Sequence, residues 1–298
     1  MRDMRHFETY HPIVIFTFFA GAVFISMFTA HPVVIAVCYL SGVIFCGMLS
    51  GVKKLLASLA YSLPLTVVIA FLNPIFVHKG ETILFFLNDN PVTLEAVYRG
   101  AASGVMLMSV FYWFKCYNAV MTSDKFIYLF GRAAPKLSLL ISMILRFIPK
   151  LIEQYKEIDC VQRAMGIYIS KSYADKLRSK FRVFSALVSW SLENSIETAD
   201  SMRARGYGLK GRTSYSDFFW RRRDTAMMTL TACLLILTLS LTGAGYADFL
   251  YYPSVSAVEW GGLNAVCYLA VFVLLFFGTA MEIKENIKWK YLKSKIDG

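Results

Sequence analysis

Two short stretches of this chain set arginine among small residues in a repeated pattern: Gln162-Arg163-Ala164-Met165-Gly166 and Met202-Arg203-Ala204-Arg205-Gly206-Tyr207-Gly208. The chemistry open to them is recognition. A guanidinium is a planar fork of donors that pairs a carboxylate at two points, so an arginine on a helix tip suits an acidic groove of another protein. Each stretch also has a reading that needs no partner. Glycine just past the last helical turn is the common left-handed cap, and a cation beside it complements the helix dipole. Recurrence of the small-x-Gly ending within one chain favours presentation to a partner.

Other chemistry is set aside on spacing and context. Gly206 to Thr213 nearly matches the phosphate-loop pattern, with Arg212 in the lysine place. That motif needs a strand before it and a helix after it, whereas here a helix precedes and a polar connector follows. The histidines His6, His11, His31 and His78 are dispersed and lack the spacing of a metal site. No nucleophile motif stands out, and the apolar segments hold no carboxylate pair for a proton relay. The expectation is a protein with no catalytic residues, no cofactor and no metal of its own. Cys38, Cys46, Cys116, Cys160, Cys233 and Cys267 show no CxxC spacing, and they read as small apolar packing residues rather than a disulfide framework.

The elements that must position the two stretches are amphipathic helices. Leu137, Leu140, Ile141, Ile144, Leu145, Ile148, Leu151 and Ile152 recur every three or four residues, with Arg146, Lys150, Glu153 or Gln154, and Glu157 on another face and a bend expected at Pro149. A second stripe runs through Phe181, Phe184, Leu187, Val188, Ser191, Leu192, Ser195, Ile196, Ala199 and Met202, against Arg182, Ser185, Ser189, Glu193, Glu197 and Asp200. Such helices belong in a membrane interface or against partner proteins.

The rest of the chain is far more apolar. Of 298 residues, 57% are hydrophobic and 17% charged, yet 31 Lys and Arg face 20 Asp and Glu, for a net charge of +11. That combination excludes a disordered chain and argues against an ordinary soluble domain. Six stretches approach the roughly 20 apolar residues that cross a bilayer: Ile13–Thr29, Pro32–Gly51, Leu55–Val77, Ala101–Tyr117, Thr225–Tyr246 and Gly261–Met281. Pro64 and Asn73-Pro74 predict a kink or a break in the third, and Lys115 near one end of the fourth can snorkel to the interface. Arg2 and Arg5 before the first run imitate a signal peptide, but the second run follows almost at once, which favours a retained hairpin.

Basic residues set the orientation. One side carries Arg2, Arg5, Lys53, Lys54, the segment 118–223 and Lys284, Lys288, Lys290, Lys293 and Lys295, while the other has only Lys79 and Arg99. Both termini and the middle segment are therefore predicted to be cytoplasmic. Segment 118–223 holds 19 basic and 9 acidic residues, nearly all of the net charge. Its Arg221-Arg222-Arg223 run reads as an anchor on anionic lipid, at about 1 kcal/mol per charge. A nucleic-acid role would need aromatic or base-reading context, which is absent. The predicted fold class is an all-α polytopic membrane protein with about six transmembrane helices and two long amphipathic helices. Its organisation is 1–117 N-terminal spans, 118–223 cytoplasmic or interfacial segment, and 224–298 C-terminal spans with a basic tail.

At these residues the chain resembles the transmembrane T component of energy-coupling-factor (ECF) transporters, the CbiQ-like family within the ABC transporters. The resemblance rests on Asn73-Pro74-Ile75-Phe76, on Leu145-Arg146-Phe147-Ile148-Pro149 and on the two small-x-Gly helix ends. Ala204-Arg205-Gly206 matches the family's Ala-Arg-Gly signature, whereas Met165 stands where the family usually has arginine. The resemblance implies partners: two cytoplasmic ABC ATPases and a small membrane-embedded S component that binds a micronutrient, a vitamin or a metal ion. It implies that the two helices are coupling helices whose tips dock in grooves of the ATPases. Arg205 would be the main coupling arginine, with Ala204 and Gly206 allowing close approach. On the other helix Arg163, Ala164, Met165 and Gly166 would form the equivalent tip, with Met165 unable to make the ion pair. ATP chemistry would lie in the partners.

Two other readings compete. A self-contained secondary transporter or channel with a regulatory cytoplasmic segment would transport alone in liposomes. A membrane-anchored lipid-binding structural protein would bind through anionic lipid and be released by high salt.

Overall fold

The computed structural model describes residues 6–77, 80–87, 90–131, 134–166, 173–209, 218–253, 255–258 and 260–296. Arg2, Arg5, His78, Lys79 and the stretch 210–213 lie outside the described residues. The chain divides into two compact units, Met1–Lys125 with Phe218–Gly298, and Phe126–Asp217.

In the first unit α1 (Pro12–Phe28) and α2 (Pro32–Ser50) begin in the same way. His11 and His31 are their N-caps, and the Nδ1 of each accepts the amide two residues on, Ile13 at 3.4 Å and Val33 at 3.3 Å. A proline follows each histidine at the first helical position, where its missing N–H costs nothing and its fixed φ suits the helix. The α3 helix (Val52–Phe76) continues through both Pro64 and Pro74, so the expected break does not occur. A feature the sequence pattern did not announce comes next, an antiparallel hairpin of β1 (Ile83–Leu87) and β2 (Asn90–Thr93), with Ile83 opposite Thr93 and Phe86 opposite Pro91. It leads into α4 (Leu94–Val120), whose N-cap Thr93 accepts from the Ala96 amide. Glu95 ties the hairpin approach to this helix, because the Thr82 hydroxyl and amide both donate to its Oε1. The Thr82 hydroxyl, foremost, holds the Glu95 carboxyl below its usual range.

The α4 helix is the hub of this unit and packs on α1, α2 and α3. Trp113 is fully buried, with Phe18, Phe19 and Phe45 at centroid distances of 5.9, 6.1 and 6.0 Å. Its indole N–H donates to the Cys38 carbonyl at 3.2 Å, which satisfies the ring's one polar group. Gly100 and Gly104 face α3 so closely that a Cβ on either would lie 2.5 Å from the Ala70 carbonyl oxygen or 2.9 Å from that of Thr66. Small residues four apart let helix backbones approach within a membrane, where there is little hydrophobic drive between helices.

The unit closes with α8 (Arg222–Gly243) and α9 (Gly262–Ile296). The α8 helix packs on α1 and α9, and α9 packs on α2. The predicted basic tail is a continuation of α9, about 52 Å of unbroken helix. Two buried carboxylates fasten the segment before α1: Phe7 N–H donates to Glu282 at 3.0 Å and His11 N–H to Asp224 at 3.3 Å. Arg223 joins them by donating to the Thr9 carbonyl at 3.0 Å and lying over the Tyr10 ring. In the basic run Arg221 and Arg222 are exposed, whereas Arg223 is half-buried. At the other end of α1, His31 Nε2 meets Tyr268 Oη at 2.9 Å, and Tyr251 Oη donates to the Ala30 carbonyl at 2.8 Å. The Nδ1 that caps α2 must be unprotonated, and burial lowers the His31 pKa in keeping with that role.

Among the described residues four helices are long and apolar enough to cross a membrane: α2, α3, α8 and the Gly262–Lys284 part of α9. The α1 helix is apolar but has 17 residues, and α4 is long but not among the four. The protein is an all-α, multi-pass membrane protein. Its six cysteines are free; Cys160 and Cys233 are exposed, so the packing role expected for all six holds for Cys38, Cys46, Cys116 and Cys267.

The second unit contains α6 (Pro135–Ala164) and α7 (Tyr173–Ala204), preceded by most of the short α5 (Ser123–Gly131). The predicted stripes fall on these two helices, and α6 runs on through Pro149.

Candidate functional site

The two helix tips are built alike. On α7, Gly206 has φ +84° and its N–H donates to the Arg203 carbonyl at 3.0 Å, while the Tyr207 N–H reaches back to the Met202 carbonyl, also at 3.0 Å. Those two bonds make a complete Schellman cap and need a left-handed residue at its centre. On α6, Gly166 has φ +75° and donates to the Arg163 carbonyl at 3.0 Å. Glycine is used at both points because a Cβ in that conformation would meet the neighbouring carbonyl. Met165 and Arg205 therefore occupy the same step, the last one before the left-handed glycine, with Ala164 and Ala204 one step earlier.

The side chains at these steps differ in what holds them. The Arg205 side chain is exposed and makes no ion pair or hydrogen bond with the described residues, while its backbone N–H donates to the Ser201 carbonyl at 3.2 Å. Met165 is 71% exposed, unusual for a large apolar side chain at the end of a helix. Arg163 is tied back along its own helix, with Nε and Nη2 both on Asp159 Oδ2 at 2.9 and 2.8 Å. Its guanidinium is therefore held against α6. Arg203 and Asp200 form only a long contact of 3.9 Å, with both side chains exposed.

Behind the tips, α6 and α7 meet where Phe147 stacks on Trp190, rings 7° from parallel and 6.0 Å apart. Lys150 locks the contact by donating to Asn194 at 2.8 Å and lying 5.3 Å from the Trp190 centroid. From Phe147 to Met165 is about 27 Å of helix, and from Trp190 to Arg205 about 22 Å. The apolar stripes stay open along both: Leu140, Ile144, Ile148 and Ile152 on α6, and Phe181, Phe184, Leu192 and Ile196 on α7, are all exposed. Chemically the arrangement offers two capped tips, one cationic and one apolar, on helices with exposed apolar stripes.

Comparison with known families places this geometry. The model of CbiQ, described as a cobalt transport protein, matches residues 6–215, well over half of the chain. The chain belongs to the CbiQ family. The match takes in both tips and stops before α8. Among curated relatives, proteins named energy-coupling factor transporter transmembrane protein EcfT are similar to it. The one from Bacillus selenitireducens is 35% identical over 97 residues, 32% of this chain and 36% of that protein. The one from Listeria innocua is 28% identical over 184 residues, covering 56% and 68%. The one from Streptococcus thermophilus is 32% identical over 123 residues, covering 40% and 47%. The chain thus spans between about a third and two thirds of the length of these relatives. The chain is thus a multi-pass membrane protein of the CbiQ family, and the relatives it matches are named as transmembrane proteins of transporters.

The residues that sequence reasoning passed over belong to the first unit. His11 and His31 are buried N-caps, a role that their dispersed spacing did not suggest. Their signal was present in the repeat His11-Pro12-Ile13-Val14-Ile15 and His31-Pro32-Val33-Val34-Ile35. Gly100 and Gly104 carried a legible small-residue spacing too.

Proposed function

We propose that this CbiQ-family chain is the transmembrane component of an ECF-type importer and that its two helix tips couple ATPase subunits to substrate uptake. The single observation that carries the reading is the matched pair of left-handed tips at Met165 and Arg205, on helices whose apolar faces stay exposed. The names of the EcfT relatives support it. On this reading Ala204, Arg205 and Gly206 dock in one ATPase, and Arg163, Ala164, Met165 and Gly166 face the other. The first contact includes an ion pair from Arg205, and at the second Met165 packs without one. Closure of the ATPase dimer on binding ATP moves the tips, and α6 and α7 tilt about the Phe147–Trp190 contact. Their apolar faces then reorient a small membrane-embedded S component, which carries the vitamin or metal ion. The proposed organisation is 1–117 as N-terminal spans, 118–223 as the coupling segment and 224–298 as C-terminal spans, with six crossings and both termini in the cytoplasm. Arg221 and Arg222 rest on anionic lipid.

The test is Arg205→Glu in the full complex, reading copurified ATPase and substrate uptake. Both should fall at least tenfold, since a like charge replaces a buried ion pair. Unchanged values for both would sink the coupling role. Met165→Arg should retain or strengthen ATPase association, and a loss would mean that its groove is apolar rather than acidic.

A further inference from the structure

A groove of about 420 Å³ runs between α3 and α4 at the end where α3 begins. It is unrelated to the helix tips. Two cations from different helices line it, Lys54 from α3 and Lys115 from α4, together with Tyr61, Leu65, Met108 and Phe111. Neither lysine forms an ion pair with an acidic side chain among the described residues. Two cations bordering one apolar groove make it a favourable place for a group that joins an anion to apolar chains. Beneath it Ser62, which lines the groove, is tied to α4 by a hydrogen bond of 2.8 Å between its Oγ and the buried Tyr112 Oη.

The walls say where the anion comes from. Tyr61 is 82% exposed, Phe111 52% and Leu65 50%, and α3 buries only Ser62 and Pro74 along its whole length. In a membrane protein such a face opens sideways to lipid, not to water. The two lysines stand at the ends of their apolar segments, at the depth of the headgroups, with acyl-sized apolar surface directly beyond them.

We propose that this α3–α4 groove is a binding site for one anionic phospholipid, its phosphate held between Lys54 and Lys115, its glycerol region against Tyr61, and its acyl chains along Leu65 and Phe111. The bound lipid neutralises the paired lysines and fills the seam between the two helices.

The test uses the full-length chain, delipidated in detergent, titrated with phosphatidylglycerol and read by native mass spectrometry. One lipid should bind ahead of the rest. Lys54→Gln and Lys115→Gln should each weaken that first binding about fivefold, and the double variant about 25-fold, the effect of roughly one surface charge apiece. The Lys54→Arg/Lys115→Arg variant keeps both charges and should bind as the wild type does, and circular dichroism shows that each variant is folded. Wild-type affinity in the folded double glutamine variant would overturn the proposal. So would equal affinity of the wild type for phosphatidylcholine, which would leave the groove merely apolar, or for glycerol phosphate, which would make it a site for a soluble anion.

Discussion

The tip of α7 depends on a backbone conformation that only glycine adopts freely, and Gly206→Ala tests it. At φ +84° an L-residue costs about 1–2 kcal/mol relative to glycine. The added Cβ would lie 3.1 Å from Leu209 Cδ1, the end of a flexible and exposed side chain, so steric conflict adds little to the conformational cost. The two bonds at risk are Gly206 N–H to the Arg203 carbonyl and Tyr207 N–H to the Met202 carbonyl. A penalty of about 1–2 kcal/mol raises the population of the opened tip about 5- to 30-fold. Amide exchange at Gly206 or its substitute and at Tyr207, measured on the purified chain, reads this opening without any partner. Both amides should exchange faster by that factor, with global melting unchanged. Gly206→Asn should give a smaller increase, because asparagine tolerates the left-handed region better. Gly243→Ala is the control: it ends α8 with open space around the built Cβ, and exchange at the tip should not change. Wild-type exchange in Gly206→Ala would refute the reasoning, since the tip would then not be held by its left-handed glycine. If the tip docks in an ATPase only when formed, association weakens by the same factor.

Other outcomes follow from the geometry. His31→Asn keeps an N-cap acceptor but removes the titration. Burial lowers the His31 pKa from 6.5, so the wild type should lose melting temperature as pH falls below about 6.5, while the variant should show a flatter profile between pH 7.5 and 5. Gly100→Val puts methyl groups against the Ala70 carbonyl and should separate α3 from α4 at a cost of about 1–3 kcal/mol, seen as a fall in melting temperature in detergent. Arg163→Ala removes an exposed i,i+4 pair with Asp159 worth about 0.3–0.5 kcal/mol, and it should leave ATPase copurification unchanged. A tenfold loss there would show that Arg163 turns outward in the complex.

Much of the candidate site could be read from the sequence because its determinants are local. The stripes of α6 and α7 repeat every three or four residues, and the glycines that cap them lie one or two positions past the last turn. Helix and cap are decided by neighbours within five residues of one another. The equivalence of Met165 and Arg205 was visible for the same reason. Arg163 was harder, since its direction depends on whether Asp159, one turn back, captures it. Of the kink or break expected at the α3 prolines, the break does not occur: the helix is continuous from Val52 to Phe76, with Gly100 of α4 packed against the Ala70 carbonyl that Pro74 leaves without an amide. The cysteines divided along similar lines, with Cys233 on an open face of α8 and Cys38 beneath Trp113.

By itself, then, the amino-acid order determined the apolar segments, the two amphipathic helices, their left-handed tips and the uneven charge between one middle segment and the rest. These follow from periodicity, caps and composition, which act over a few residues. Only the tertiary structure decided that α4 is the hub, that Trp113 closes on the Cys38 carbonyl, that Arg223 turns to Thr9, and that Lys54 and Lys115 share a groove. Each of those joins residues tens to hundreds of positions apart, and helix packing, not spacing along the chain, brings them together.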